Sequence, residues 1–255
     1  MEKEKKTTVG TFTQDPTKSI VKVQITRRIP DGVYIFTETV ILGHTFILVS
    51  INSKYIVYTY GRYNDNYFDG VLLKHTQNDA INYLMKELYR FNAKSYRICD
   101  IEEERVIQEF DLLWYSSDKI PQEGKEKNLS RDGRIISQYK LLSSNCTTIV
   151  CNILKKSGTK IFDFSQIENF CIGLELNYSI NPSEDLFRCS WSRNYNEVYF
   201  IDPEKIEEYL ELLISNKNEL VKEYTKTIRC CIPNTEGYKY SPPKELYRTI
   251  KGASQ

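Results

Sequence analysis

The sequence predicts an α+β fold in which an antiparallel sheet packs against a helix that carries a cysteine in its first turn. Three observations point there. Between residues 19 and 61, short runs rich in β-branched and aromatic residues are broken by turn signals. From residue 78 onward, apolar residues recur at helical spacing in several segments. Within that second region, Ser143-Ser144-Asn145-Cys146-Thr147-Thr148 leads from small polar residues into an amphipathic run.

The strands come first. Residues 1–18 are polar and predicted to be a flexible N-terminus. Ser19–Thr26 has strand character, and Pro30-Asp31-Gly32 is a turn. Gly32–Val40 is predicted as a second strand. Leu42–Ile51 is a third, apolar enough to be buried on both faces. Asn52-Ser53 makes a two-residue hairpin, and Lys54–Tyr60 returns as a fourth strand ending at Gly61. Arg62–Gly70 is read as a polar, aromatic loop.

Helices alternate with shorter strands beyond that point. Ile81, Leu84, Met85, Leu88 and Phe91 define a helix over Asn78–Phe91. Ser95–Ile101 is a strand and Glu102–Tyr115 a helix. The charged stretch Asp118–Asp132 is expected to be a long loop, hence a lid or an insertion. In the next helix, Ile149, Val150, Ile153 and Leu154 form the buried stripe, and Lys155, Lys156 and Gly158 close it. Residues 162–190 mix short helical and extended signals. Glu197–Ile201 is a short strand, and Asp202-Pro203 opens a helix with an N-cap and a proline at its first position. The tail after Tyr224 is rich in Pro, Lys and Tyr. The predicted organisation is one main domain over 19–224 with a C-terminal extension over 225–255.

Bulk properties exclude several functions. With 35 basic and 34 acidic residues, the chain has no field to suggest nucleic acid or an anionic membrane as partner. No apolar run reaches the roughly 20 residues of a membrane span. The start, Met1-Glu2-Lys3-Glu4-Lys5-Lys6, has no apolar core behind it, so no conventional signal peptide is visible and synthesis in the cytoplasm is expected. Seven cysteines at irregular spacing suggest a reducing compartment rather than a disulfide framework. Two histidines make a zinc site unexpected, and no cofactor is implied.

Chemistry concentrates on Cys146. Asn145 or Ser144 is a good N-cap, which leaves Cys146 in the first turn, where the helix's partial positive charge favours a thiolate. An imidazole base must come from His44 or His75. His44 follows Gly43 at the start of a rigid strand; His75 is expected to have a surface or capping role. If Asn52-Ser53 is a two-residue turn, Ser50 faces Tyr55, Leu48 faces Val57 and Phe46 faces Thr59, so His44 and Thr59 share a face. A register change of one residue puts Tyr60 there instead.

Gly43-His44-Thr45-Phe46, Tyr58-Thr59-Tyr60-Gly61 and Asn145-Cys146-Thr147-Thr148, in that order, resemble the circularly permuted branch of the papain-fold superfamily. That branch contains NlpC-like peptidases and lecithin:retinol-acyltransferase-like proteins. The resemblance covers about residues 33–61 and 145–157. It implies a papain-like fold with the His strand before the Cys helix, Cys146 as nucleophile and His44 as general base. It places Thr59 where an orienting Asn is usual, and Asn145 as helix cap beside the oxyanion. The implied activity is a cysteine hydrolase of amide bonds, with peptidoglycan stem peptides as substrate. Without a signal peptide, delivery by a specialised secretion system as an antibacterial or host-directed effector follows, with a cognate immunity or delivery protein as partner. Two alternatives stand beside it. One is a lipid acyltransferase or phospholipase, with apolar loops at Phe68 and Val71–Leu73. The other is a non-enzymatic interaction module whose surface is Tyr58, Tyr60, Tyr63 and Tyr67.

Overall fold

A computed structural model describes residues 27–40, 43–63, 68–122, 128–140, 144–162, 189–192, 197–200 and 202–240. The predicted flexible N-terminus, the strand at 19–26 and most of the ambiguous 162–190 stretch lie outside the described residues. The strands are β1 (Gly32–Glu38), β2 (His44–Ile51), β3 (Lys54–Gly61), β4 (Asp69–Thr76), β5 (Lys94–Ile98), β6 (Gly133–Gln138), β7 (Cys189–Ser192), β8 (Glu197–Phe200) and β9 (Val221–Glu223). The helices are α1 (Gln77–Arg90), α2 (Glu103–Tyr115), α3 (Leu129–Asp132), α4 (Cys146–Lys156), α5 (Pro203–Ser215) and α6 (Thr225–Cys231).

Seven strands form one antiparallel sheet in the order β6-β4-β3-β2-β1-β5-β9, and β7 pairs with β8 separately. β1 to β4 are a meander. Its central turn is the one the sequence signals: Asn52 and Ser53 both have positive φ, as a two-residue turn matched to strand twist requires. The register follows from that turn, with Ser50 opposite Tyr55, Leu48 opposite Val57 and Phe46 opposite Thr59.

Both faces of the sheet are covered. Val33, Ile35, Ile47, Val49, Tyr58 and Tyr60 point to an upper layer, where α2, α4 and α5 supply Phe110, Val150, Leu154, Ile206 and Leu210. Tyr34, Phe36, Phe46, Leu48 and Val57 point to a lower layer built from α1 and α6. Successive residues of β1 and β2 therefore enter different cores, which explains why these strands read as nearly unbroken apolar runs. Trp114 is part of the upper core. Ile228, Cys231 and Ile232, from the segment after Tyr224, lie in the lower one.

The loop predicted at 62–70 is shorter than expected, because β4 begins at Asp69. Val71–Leu73 are buried strand residues rather than an apolar loop. The run Gly70-Val71-Leu72-Leu73 carries no alternation, and only pairing with β3 and β6 settles its state. The end of the charged 118–132 stretch is likewise ordered: α3 docks Leu129 against Val71 and Leu73. His75 is a β4 residue, not the cap of α1, which is Thr76. Its Nδ1 lies 3.8 Å from Asp132 Oδ2, and its ring stacks on Tyr83.

Leu84→Ala in the lower layer and Leu154→Ala in the upper each remove a fully buried side chain. Each is expected to cost about 2–5 kcal/mol in urea unfolding. A sheet shared by two cores should keep a single transition in both variants.

Candidate functional site

The candidate site gathers at the start of β2 and the start of α4. α4 begins where the sequence predicts, and of the two candidate caps Asn145 is the one used. Its Oδ1 accepts from the Thr148 amide at 2.9 Å, and the Thr148 hydroxyl accepts from the Asn145 amide at 2.8 Å. This reciprocal box fixes the first turn and with it Cys146. The Thr45 and Thr147 hydroxyls, 3.0 Å apart and buried, tie that turn to β2.

Cys146 is 5 % exposed. Its thiol is pushed up by burial; hydrogen bonds from the Thr45 amide, the Thr147 side chain and amide, and its own amide act the other way. Burial wins, contrary to the expectation that the helix start leaves a thiolate at rest. Burial, and then the neighbouring Cys146 thiol, raise the Tyr139 phenol.

His44 leaves β2 on the opposite face, its ring stacked against Phe46 at 5.7 Å. Nε2 lies 2.6 Å from Thr59 Oγ1, the neighbour that the hairpin register predicts. Tyr60, the alternative, points into the upper layer and bonds Ser137 Oγ at 2.7 Å. Burial, then the charge of Lys86, lowers His44 to about 4, so the imidazole is neutral at physiological pH. Thus the structure joins His44 to Thr59. Among the described residues, no hydrogen bond joins His44 to Cys146. What relates them is β2 itself: the amide bonded to the sulfur belongs to Thr45, the residue after His44.

Sequence reading missed the groups that surround His44. Tyr63 Oη and Tyr83 Oη reach Thr59 Oγ1 at 2.6 and 3.2 Å. Tyr63 is thus half-buried in the site rather than displayed for a partner, and Tyr58 and Tyr60 are fully buried; Tyr67 lies outside the described residues. Glu38 sits directly across from His44 in the β1–β2 ladder and is 7 % exposed. Burial, then the nearby Glu87, raises its carboxyl to about 8, against a hydrogen bond from the Val40 amide. A signal for Glu38 existed: Tyr34, Phe36 and Glu38 alternate on one strand face, so the acid continues a buried aromatic stripe. Tyr63 and Tyr83 have no such local signature.

The chain matches no family model, no curated protein and no solved structure.

Asn145→Ala should destabilise the protein by about 0.5–2 kcal/mol, read from urea unfolding. Glu38 predicts a pH effect. Its folded value lies above its unfolded one, so the native state holds the extra proton between them. Stability from this group is complete below pH 4.5 and is lost as pH rises through about 8. His44 acts oppositely but only between about pH 4 and 6.5. From pH 6.5 to 8 the urea midpoint of the wild type should therefore fall more steeply than that of Glu38→Gln.

Proposed function

We propose that the protein is a cysteine hydrolase of amide bonds, with Cys146 as nucleophile, His44 as general base and Thr59 as the group that orients the imidazole. The observation that carries this reading is the pairing on β2: its first residue presents a neutral imidazole held by Thr59, and its second directs an amide at the Cys146 sulfur. Support also comes from the capping box, which fixes the nucleophile's backbone.

At rest the pair is thiol and imidazole, both uncharged. When a carbonyl carbon reaches the sulfur, the S–C bond forms as the thiol proton reaches His44. Because the imidazole lies on the face of β2 away from the sulfur, that transfer requires a relay or a movement of the ring around the start of the strand. The converging amides that favour the thiolate carry the negative charge during attack, and helix-start amides of Cys146 and Thr147 can receive the oxyanion. The tetrahedral intermediate collapses as His44 returns the proton to the leaving amine. Water then attacks the thioester, gives its proton to His44, and releases the acid and the free thiol.

By its resemblance to the permuted papain-fold branch, the substrate is the stem peptide of peptidoglycan, reached by export through a specialised secretion system, with a cognate immunity or delivery protein as partner. Of the apolar residues the lipid-directed alternative relies on, Val71–Leu73 are buried in β4, whereas Phe68 stays exposed just before that strand. The interaction-module alternative loses Tyr58 and Tyr60 to the core.

Incubation with soluble peptidoglycan fragments, followed by mass spectrometry of the products, tests the reading. Hydrolysis of one amide bond is expected, abolished in Cys146→Ala and slowed roughly 10²–10⁴-fold in His44→Ala. Turnover by Cys146→Ala at the wild-type rate contradicts it.

A further inference from the structure

Just past β3, Arg62 continues the spacing of Tyr58 and Tyr60, the β3 residues of the upper layer. Its Cζ lies 5.2 Å from the centroid of the Tyr139 ring, and that ring stacks on Tyr60 at 5.6 Å. The three side chains form a wall at the end of the sheet where α4 begins. Tyr60 Oη is 3.3 Å from Ser144 Oγ, and Lys140 and Ser144 exchange two backbone hydrogen bonds of 2.9 Å just ahead of Asn145 and Cys146. The Tyr139 phenol, raised first by burial and then by Cys146, is lowered by Arg62, so one ring senses both the thiol and the guanidinium. Arg62 is exposed, and among the described residues no side chain or carbonyl accepts a hydrogen bond from its guanidinium.

We propose that Arg62 holds a carboxylate of the substrate beside Cys146, so that the preferred acyl donor is acidic. This rests on the reading of Cys146 as nucleophile and adds to it the charge of the group delivered to the sulfur.

Stacking is what suits Arg62 to the task. An arginine that closes on an anion gives up rotamer freedom, and contact with the Tyr139 ring meets part of that cost before the substrate arrives. The N–H edge of the guanidinium stays free, and its fork can take both carboxylate oxygens. Half-buried Tyr139 keeps water from one side of the pair, which strengthens it relative to a fully solvated one. The chain as a whole carries a net charge of +1, so the bulk field attracts an acidic substrate little, and discrimination falls to a placed cation. Phe68, exposed, extends the wall with apolar surface; its carbonyl accepts from the Tyr139 amide at 2.8 Å.

Alkylation tests this apart from turnover. Iodoacetate and iodoacetamide form the same S–CH2 bond and expel the same iodide, but only the first carries a carboxylate. The thiolate fraction cancels in the ratio of their rates. Peptide mapping of the full-length protein gives that ratio at Cys146 and, as a reference, at the exposed Cys99. In the wild type the acetate-to-acetamide ratio should be higher at Cys146 than at Cys99. Arg62→Gln should lower it about fivefold at Cys146, the scale of one solvent-facing ion pair, and leave Cys99 unchanged. Arg62→Lys, which keeps the charge without the fork, should fall between. Lys140→Gln removes the same charge from a neighbouring exposed side chain and should leave the ratio as it is. An unchanged ratio in Arg62→Gln, an equal fall in Lys140→Gln, or no reaction of Cys146 with either reagent overturns the proposal. A carboxylate preference at Cys146 with peptidoglycan fragments left intact counts against the hydrolase alone. Amide hydrolysis without that preference counts against Arg62 alone.

Discussion

The alternation of side chains at the start of β2 is the constraint on which the rest depends. His44 goes to the lower face and meets Thr59, Tyr63 and Phe46. Thr45 goes to the upper face, where its hydroxyl meets Thr147 and its amide meets Cys146. One strand thereby holds an imidazole and a thiol from opposite sides of the same backbone. It can do so only because both faces of the sheet are buried, so that Phe46, Ile47, Leu48 and Val49 anchor β2 in two cores at once. A slip of one residue would exchange the two faces and separate every one of these contacts.

Burial dominates the electrostatics of the site. It raises the thiol, lowers the imidazole and raises the Glu38 carboxyl, in each case disfavouring the charged form. The outcome at neutral pH is three uncharged groups rather than an ion pair, each bonded to its own neighbours: His44 to Thr59, Glu38 to the Val40 amide, and Cys146 to donors at the start of α4. Uncharged groups cost less to bury than charged ones, and the Asn145–Thr148 box holds the amide donors of the α4 start where charge would develop on sulfur. The helix-start effect expected from the sequence is present as those donors; it is outweighed in the resting state by the loss of water.

Legibility in the sequence follows the range of the interactions involved. The Asn52-Ser53 turn is local, and from it the register and the shared face of His44 and Thr59 could be worked out; the two-sided burial of β2 was legible separately, in its unbroken apolar run. The Asn145 cap and the Asp202-Pro203 helix start are local as well, and both are observed. β4 and β6 were not legible because neither has a periodicity of its own; each is a strand by virtue of its neighbours. The same holds for Tyr63 and Tyr83. A tyrosine beyond a strand and another on a helix stripe give no hint that they meet at one threonine, and that meeting depends on where α1 docks beneath the sheet.

The most direct measurement of the central claim is intact mass and peptide mapping after brief exposure to p-nitrophenyl acetate, an activated ester that reports the nucleophile without regard to the natural substrate. Cys99 and Cys230 are exposed and serve as internal references for unassisted thiols. A single acetyl group on the buried Cys146, formed at neutral pH and lost in His44→Ala, is the expected result. Acetylation that follows exposure, marking Cys99 and Cys230 while sparing Cys146, would contradict the assignment of Cys146 and His44 as a working pair.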